Sequence, residues 1–96
     1  MTLYQLIQER KLRLVQIAAD HRAINLRLFG SVARGEDQPY SDVDFLVEFL
    51  PGSTLVDHVS LMDELSAELG RKVDVVSDRA LNKQLQQRVF SEAIVL

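Results

Sequence analysis

Three aspartates stand at matching places in valine-rich segments: Asp42 and Asp44 in Ser41-Asp-Val-Asp-Phe-Leu-Val-Glu48, and Asp74 in Lys72-Val-Asp-Val-Val76. Residues two apart on a strand leave the same face, about 6.6 Å apart along the chain, so Asp42 and Asp44 share one side of a sheet. Two carboxylates at that separation repel by about 2.5 kcal/mol at an effective dielectric near 20, before any desolvation cost. Asp74 joins them if its strand neighbours theirs. It has a valine on each side in a sheet core, where an uncompensated carboxylate is unusual. A fold tolerates such a cluster where the carboxylates reach water or hold a cation. Oxygen-only ligands with open positions suit Mg2+ or Mn2+, which bind few carboxylates and leave room for phosphates. A lone Asp-x-Asp also matches strand ends that merely face solvent, so the pair gains meaning from what accompanies it.

What accompanies it is Gly30-Ser31, directly after a hydrophobic segment. Glycine permits close backbone approach, and a helix starting there aims free N–H groups and its positive end at an anion. The Ser31 hydroxyl can reach a phosphate oxygen, and Arg34, one turn on, can counter phosphate charge. Taken alone, Gly-Ser is a common turn and Arg34 a common ion-paired surface residue. Two familiar phosphate loops are excluded. Gly30 to Gly35 has Walker spacing, but Glu36-Asp37 stands where Lys-Ser/Thr is required, and no G-x-G-x-x-G occurs. Gly30-Ser31, ten intervening residues, Asp42-x-Asp44 and a later Asp74 together place an anion cradle opposite a metal cluster. That layout suits nucleotidyl transfer: the cradle holds the β,γ-phosphates, and metals polarise the α-phosphate and activate a hydroxyl.

The elements that must position these residues are legible from periodicity. Leu3, Leu6, Ile7, Leu14, Ile17 and Ala18 recur at helical spacing, predicting one amphipathic helix that ends near Asp20 or His21. Ile24 to Phe29 alternates, predicting a strand with Ile24, Leu26 and Leu28 on one face and Asn25 and Arg27 on the other. Val32 to Gly35 reads as a helical turn and Asp37 to Ser41, with Pro39, as a loop. The segment 42–49 is a strand with Val43, Phe45, Val47 and Phe49 on one face and Asp42, Asp44, Leu46 and Glu48 on the other. After the turn at Leu50-Pro51-Gly52, Ser53 or Thr54 caps a helix that presents Leu61, Met62, Leu65 and Leu69 inward and stops at Gly70. Arg71 to Ser77 is a third strand. Asp78 is expected to cap a last helix carrying Leu81, Leu85 and Val89. The fold expected is α/β: a small mixed sheet flanked by helices, with residues 1–96 as one domain.

Phe29-Gly-Ser-Val-Ala-Arg-Gly-Glu36, followed by Ser41-Asp-Val-Asp-Phe-Leu-Val-Glu48, resembles the polymerase-β-type nucleotidyltransferase superfamily, and more closely its minimal nucleotidyltransferases. The likeness spans roughly Ile24 to Ser77. Many members of that group are antitoxins paired with a HEPN-type RNase toxin, which they inactivate by transferring AMP from ATP to a toxin tyrosine. The resemblance implies that Gly30 and Ser31 bind the triphosphate and that Asp42 and Asp44 ligate Mg2+, with two ions expected. Asp74 would complete the site and serve as general base. Val32 departs from the pattern, since relatives often carry a basic residue there, which shifts phosphate binding toward Arg34 and backbone N–H groups. No second domain for a tRNA or antibiotic acceptor is evident, which favours a protein acceptor. Two other readings stand beside this one: an antitoxin that blocks its toxin by occlusion alone, and a nucleotidyltransferase acting on a small molecule such as an aminoglycoside.

Composition agrees with these limits. With 47% hydrophobic residues in 96, the chain suits one core, and the lack of cysteine excludes thiolate metal sites and thiol catalysis. The longest apolar run, Ala93 to Leu96, is too short for a membrane span or signal core, so a cytoplasmic protein is expected. A run so apolar at the terminus should pack on the sheet or dock a partner. The net charge of −3 argues against direct nucleic-acid binding. It hides a split: residues 1–35 carry six bases and two acids, 36–78 two bases and 11 acids, and 79–96 three bases and one acid. Assigning Asp42, Asp44 and Asp74 to a cation accounts for three of those 11. The two histidines stand apart, and His58 reads as a structural residue on an apolar helix.

Overall fold

A computed structural model describes residues 1–96. The first amphipathic segment forms two helices rather than one. Helix α1 (Leu3–Glu9) starts on a capping box in which Thr2 Oγ1 accepts the Gln5 N–H and Gln5 Oε1 accepts the Thr2 N–H. Arg10 (φ −98°, ψ 12°) then interrupts the helix before α2 (Lys11–Asp20). Its guanidinium reaches across to the carbonyl of Glu68, and Arg13 lies 3.9 Å from the Glu68 carboxylate. On either side of the break, Ile7 and Leu14 are both fully buried.

Strand β1 (Ala23–Phe29) departs from simple alternation. Ala23, Leu26 and Leu28 face the core, whereas Ile24, expected inside, is 38% exposed. The cause is local: Asn25 takes a left-handed φ of 55°, and the pairing with the next strand slips between Ile24 and Arg27. A bulge of this kind reverses side-chain direction ahead of it.

Short helix α3 (Gly30–Arg34) follows without a break, then a loop leads into β2 (Val43–Phe49). Helix α4 (Leu55–Leu69) carries the chain back for β3 (Val73–Ser77), which pairs parallel to β2, as a crossover helix permits. Thr54 and Asp57 form the capping box of α4, and Leu61, Leu65 and Leu69 are buried at four-residue spacing up to the Gly70 cap. His58 Nε2–H donates to the Val75 carbonyl at 2.7 Å, and its ring lies against Phe49, as befits a structural histidine. In urea unfolding, Thr54→Ala should cost about 1 kcal/mol and Leu61→Ala about 2–5 kcal/mol. Equal costs would contradict the packing described.

The C-terminal segment corrects one expectation and meets another. Asp78 does not cap the last helix; Asp78–Ala80 form a 3-10 turn, and Asn82 Oδ1 accepts the Leu85 N–H to open α5 (Lys83–Glu92). The apolar terminus packs on the sheet, where Ile94–Val95 form β4 beside Leu28 and Arg27 of β1. The sheet order is β3-β2-β1-β4, with β1 antiparallel to both its neighbours. The arrangement is therefore a mixed α/β sheet. One sheet face buries Leu28, Val43, Phe45 and Val47 with residues of α1, α2 and α4. Leu46 is fully buried on the opposite face, which also carries Asp44. No helix is long and apolar enough to cross a membrane.

Candidate active site

Strand register brings the chemistry-bearing residues together at one end of three neighbouring strands. Asp44 on the central strand β2 is paired with Phe29 of β1 on one side and with Asp74 of β3 on the other. Gly30 follows Phe29, so the turn into α3 is delivered to Asp44. Gly30 has φ +76°, and a Cβ built there would overlap Asp44 Oδ2 and sit 3.3 Å from Asp44 Cγ. Glycine is thus required twice, for backbone conformation and for space. Ser31 continues the turn, half-buried at the start of α3. Val32 is 1% exposed and points into the core, so no phosphate contact is available from that side chain.

Asp42 lies just before β2, and its Oδ2 is 3.6 Å from Lys72 Nζ. The sequence reading passed over Lys72. Its position two residues before Asp74, at the same parity in the strand pattern, was the available signal. The neighbouring carboxylates act on Asp44. Burial raises the Asp44 carboxyl above its ordinary value; Asp74 and then Asp42 add to the rise, and Arg34 opposes it. As positioned, no three acidic or imidazole side chains converge into a closed cage for an ion. An oxygen-only cluster with one carboxyl already destabilised in its charged form fits a hard divalent cation, which would relieve the repulsion. Arg34 is committed elsewhere, 3.0 Å from Glu36 and 3.6 Å from Glu92, and the Glu36 hydrogen bond chiefly holds its guanidinium above the ordinary value.

The glycine turn lies against Asp44, with Asp74 alongside, on a small mixed sheet, and comparison with known proteins shows the family of the chain as a whole. Residues 12–96 match the family model described as polymerase beta, nucleotidyltransferase. The chain belongs to this nucleotidyltransferase family. This nucleotidyltransferase is 39% identical over 88 residues to a chain of Methanocaldococcus jannaschii named as a protein adenylyltransferase, covering 92% of one and 95% of the other. A solved minimal nucleotidyltransferase matches it with a TM-score of 0.90 at 44% identity, over 100% of this chain and 97% of that one. A toxin–antitoxin complex solved with AMP-PNP shares the fold, with a TM-score of 0.72 at 24% identity over 91% and 69% of the two chains. The nucleotidyltransferase is thus an enzyme whose fold and family agree with the α/β reading of the sequence.

Proposed function

We propose that the chain, acting as one unit over residues 1–96, is the antitoxin of a toxin–antitoxin pair. It transfers AMP from ATP to a tyrosine of a HEPN-type RNase toxin in the cytoplasm. The observation that carries the reading is the row Phe29–Asp44–Asp74, which sets the Gly30 turn directly against Asp44, with Asp74 beside it on the next strand. The adenylyltransferase name of the Methanocaldococcus relative and the toxin–antitoxin complex that shares the fold support it.

In this reaction the Gly30 and Ser31 N–H groups and the Ser31 hydroxyl hold the β,γ-phosphates, and Arg34 adds positive charge nearby. Asp42, Asp44 and Asp74 would hold Mg2+, with two ions expected. When bound, Mg2+ supplies charge that polarises the α-phosphate and lowers the pKa of the incoming hydroxyl. A carboxylate oxygen of Asp74 accepts the tyrosine proton as the tyrosine oxygen bonds to the α-phosphorus. The bond from that phosphorus to the bridging oxygen breaks, and pyrophosphate leaves.

The test is incubation with labelled ATP, Mg2+ and the toxin. Wild type should label a toxin tyrosine, and Asp42→Asn and Asp44→Asn should not. An unlabelled toxin, with wild type and variants alike, would sink the enzymatic role. Neutralisation by Asp44→Asn at stoichiometric dose would show occlusion instead, and label on an aminoglycoside rather than the toxin would reassign the acceptor.

A further inference from the structure

Beside Gly30 a cleft of 400 Å³ opens between the β1–α3 turn and α5, with Phe29, Gly30 and Arg34 on one wall and Leu85, Arg88 and Glu92 on the other. That volume lies within the range of small-molecule sites. Gly30, which lines the cleft, is also the residue whose missing side chain would meet Asp44, so the cleft lies next to the central carboxylate.

Its two cations differ in their commitments. Arg34 is engaged by Glu36 and Glu92. Arg88 takes part in none of the six ion pairs of the molecule, and its side chain is exposed on the cleft wall. Helix α5 buries no residue, so Arg88 has no packing role to explain its place. The helix is nonetheless held: Gln86 Nε2 donates to the Asp78 carbonyl, and Phe90 lies under the Arg27 guanidinium at 5.0 Å. A triphosphate entering beside three carboxylates needs positive charge at the end away from them. A guanidinium with uncommitted donors provides the fork that matches phosphate oxygens.

We propose that Arg88 binds the terminal phosphates of the nucleoside triphosphate, making α5 the second wall of the nucleotide cleft. The proposal rests on the nucleotidyl-transfer reading above and names a binding residue for it. Calorimetric titration with a non-hydrolysable ATP analogue in Mg2+, and in parallel with AMP, tests it. Arg88→Ala and the helix-compatible Arg88→Gln should each weaken the analogue about 10- to 100-fold and leave AMP unchanged. Lys83→Ala, on α5 but off the cleft, should change neither. Variants that bind the analogue as wild type does would overturn the role of Arg88 while leaving the transfer reading intact. Equal losses for analogue and AMP, or a Lys83→Ala loss as large, would also overturn it. A wild-type chain that binds no analogue would overturn the transfer reading and this role together.

Discussion

Asp44→Asn is expected to lower AMP transfer by about 10³-fold while making the protein more stable at neutral pH. The activity loss follows from removing the central carboxylate of the row. The gain in stability follows from the same geometry. Burial, Asp74 and Asp42 all raise the Asp44 carboxyl, so the folded state prefers it protonated more than the unfolded chain does. Folding then takes up a proton at pH values between the unfolded and the folded pKa. The contribution of this group to stability is full below the unfolded carboxyl's pKa and is lost as pH rises through the higher folded value. Above the folded value the wild type carries the penalty of a charged, crowded Asp44, which asparagine avoids. The thermal midpoint of Asp44→Asn should therefore exceed that of wild type most at neutral pH. The gap should close as pH falls from about 7 through the carboxylate range near 4. Mg2+ should raise the wild-type midpoint by binding the folded state and leave the variant nearly unmoved. A constant gap across pH, or equal Mg2+ responses, would contradict the electrostatic account.

Such a site, costly to the fold and useful to the chemistry, was partly legible in the sequence for a physical reason. Alternation makes a charged residue on a valine strand stand out, and Asp44 and Asp74 sit at equivalent points of two such strands. Parallel pairing of β2 and β3 then places them side by side. Gly30 was legible because its neighbours define the end of a strand. The features that escaped depend on distant pairing or on one residue's backbone angle. The outward turn of Ile24 follows from the left-handed φ of Asn25, which alternation alone does not encode. The Lys72–Asp42 pair and the Arg34–Glu92 pair bridge 30 and 58 positions of sequence, so they exist only once the register is set. The sequence points to Asp78 as the cap of α5, but Asp78 begins a 3-10 turn and Asn82 caps the helix instead. Side chains of similar capping strength four residues apart leave that choice to tertiary packing.

Gly30→Ala should be the most damaging substitution outside the carboxylates, and its cost separates into two measurable parts. The first is backbone strain, since an alanine at φ +76° occupies the left-handed region, at about 1 kcal/mol. The second is steric, since the new methyl overlaps Asp44 Oδ2 and must push the carboxylate off its place. Gly35 provides the control: its φ is +71°, and a Cβ there meets nothing within 4 Å. Gly35→Ala should thus show strain alone, with a small loss in urea unfolding and near-normal transfer. Gly30→Ala should lose about 1–3 kcal/mol and about 100-fold in transfer, the scale expected when a reacting group moves by an ångström. In an Asp44→Ala background the overlapping oxygen is gone and only the Asp44 Cβ remains, 3.4 Å from the new methyl. There Gly30→Ala should cost no more stability than Gly35→Ala. The difference between the two backgrounds is the coupling between the glycine turn and the central carboxylate, read as a double-mutant cycle. Additive costs would show that the turn and Asp44 do not pack on one another, and the proposed seating of the triphosphate beside the carboxylates would fall with that contact.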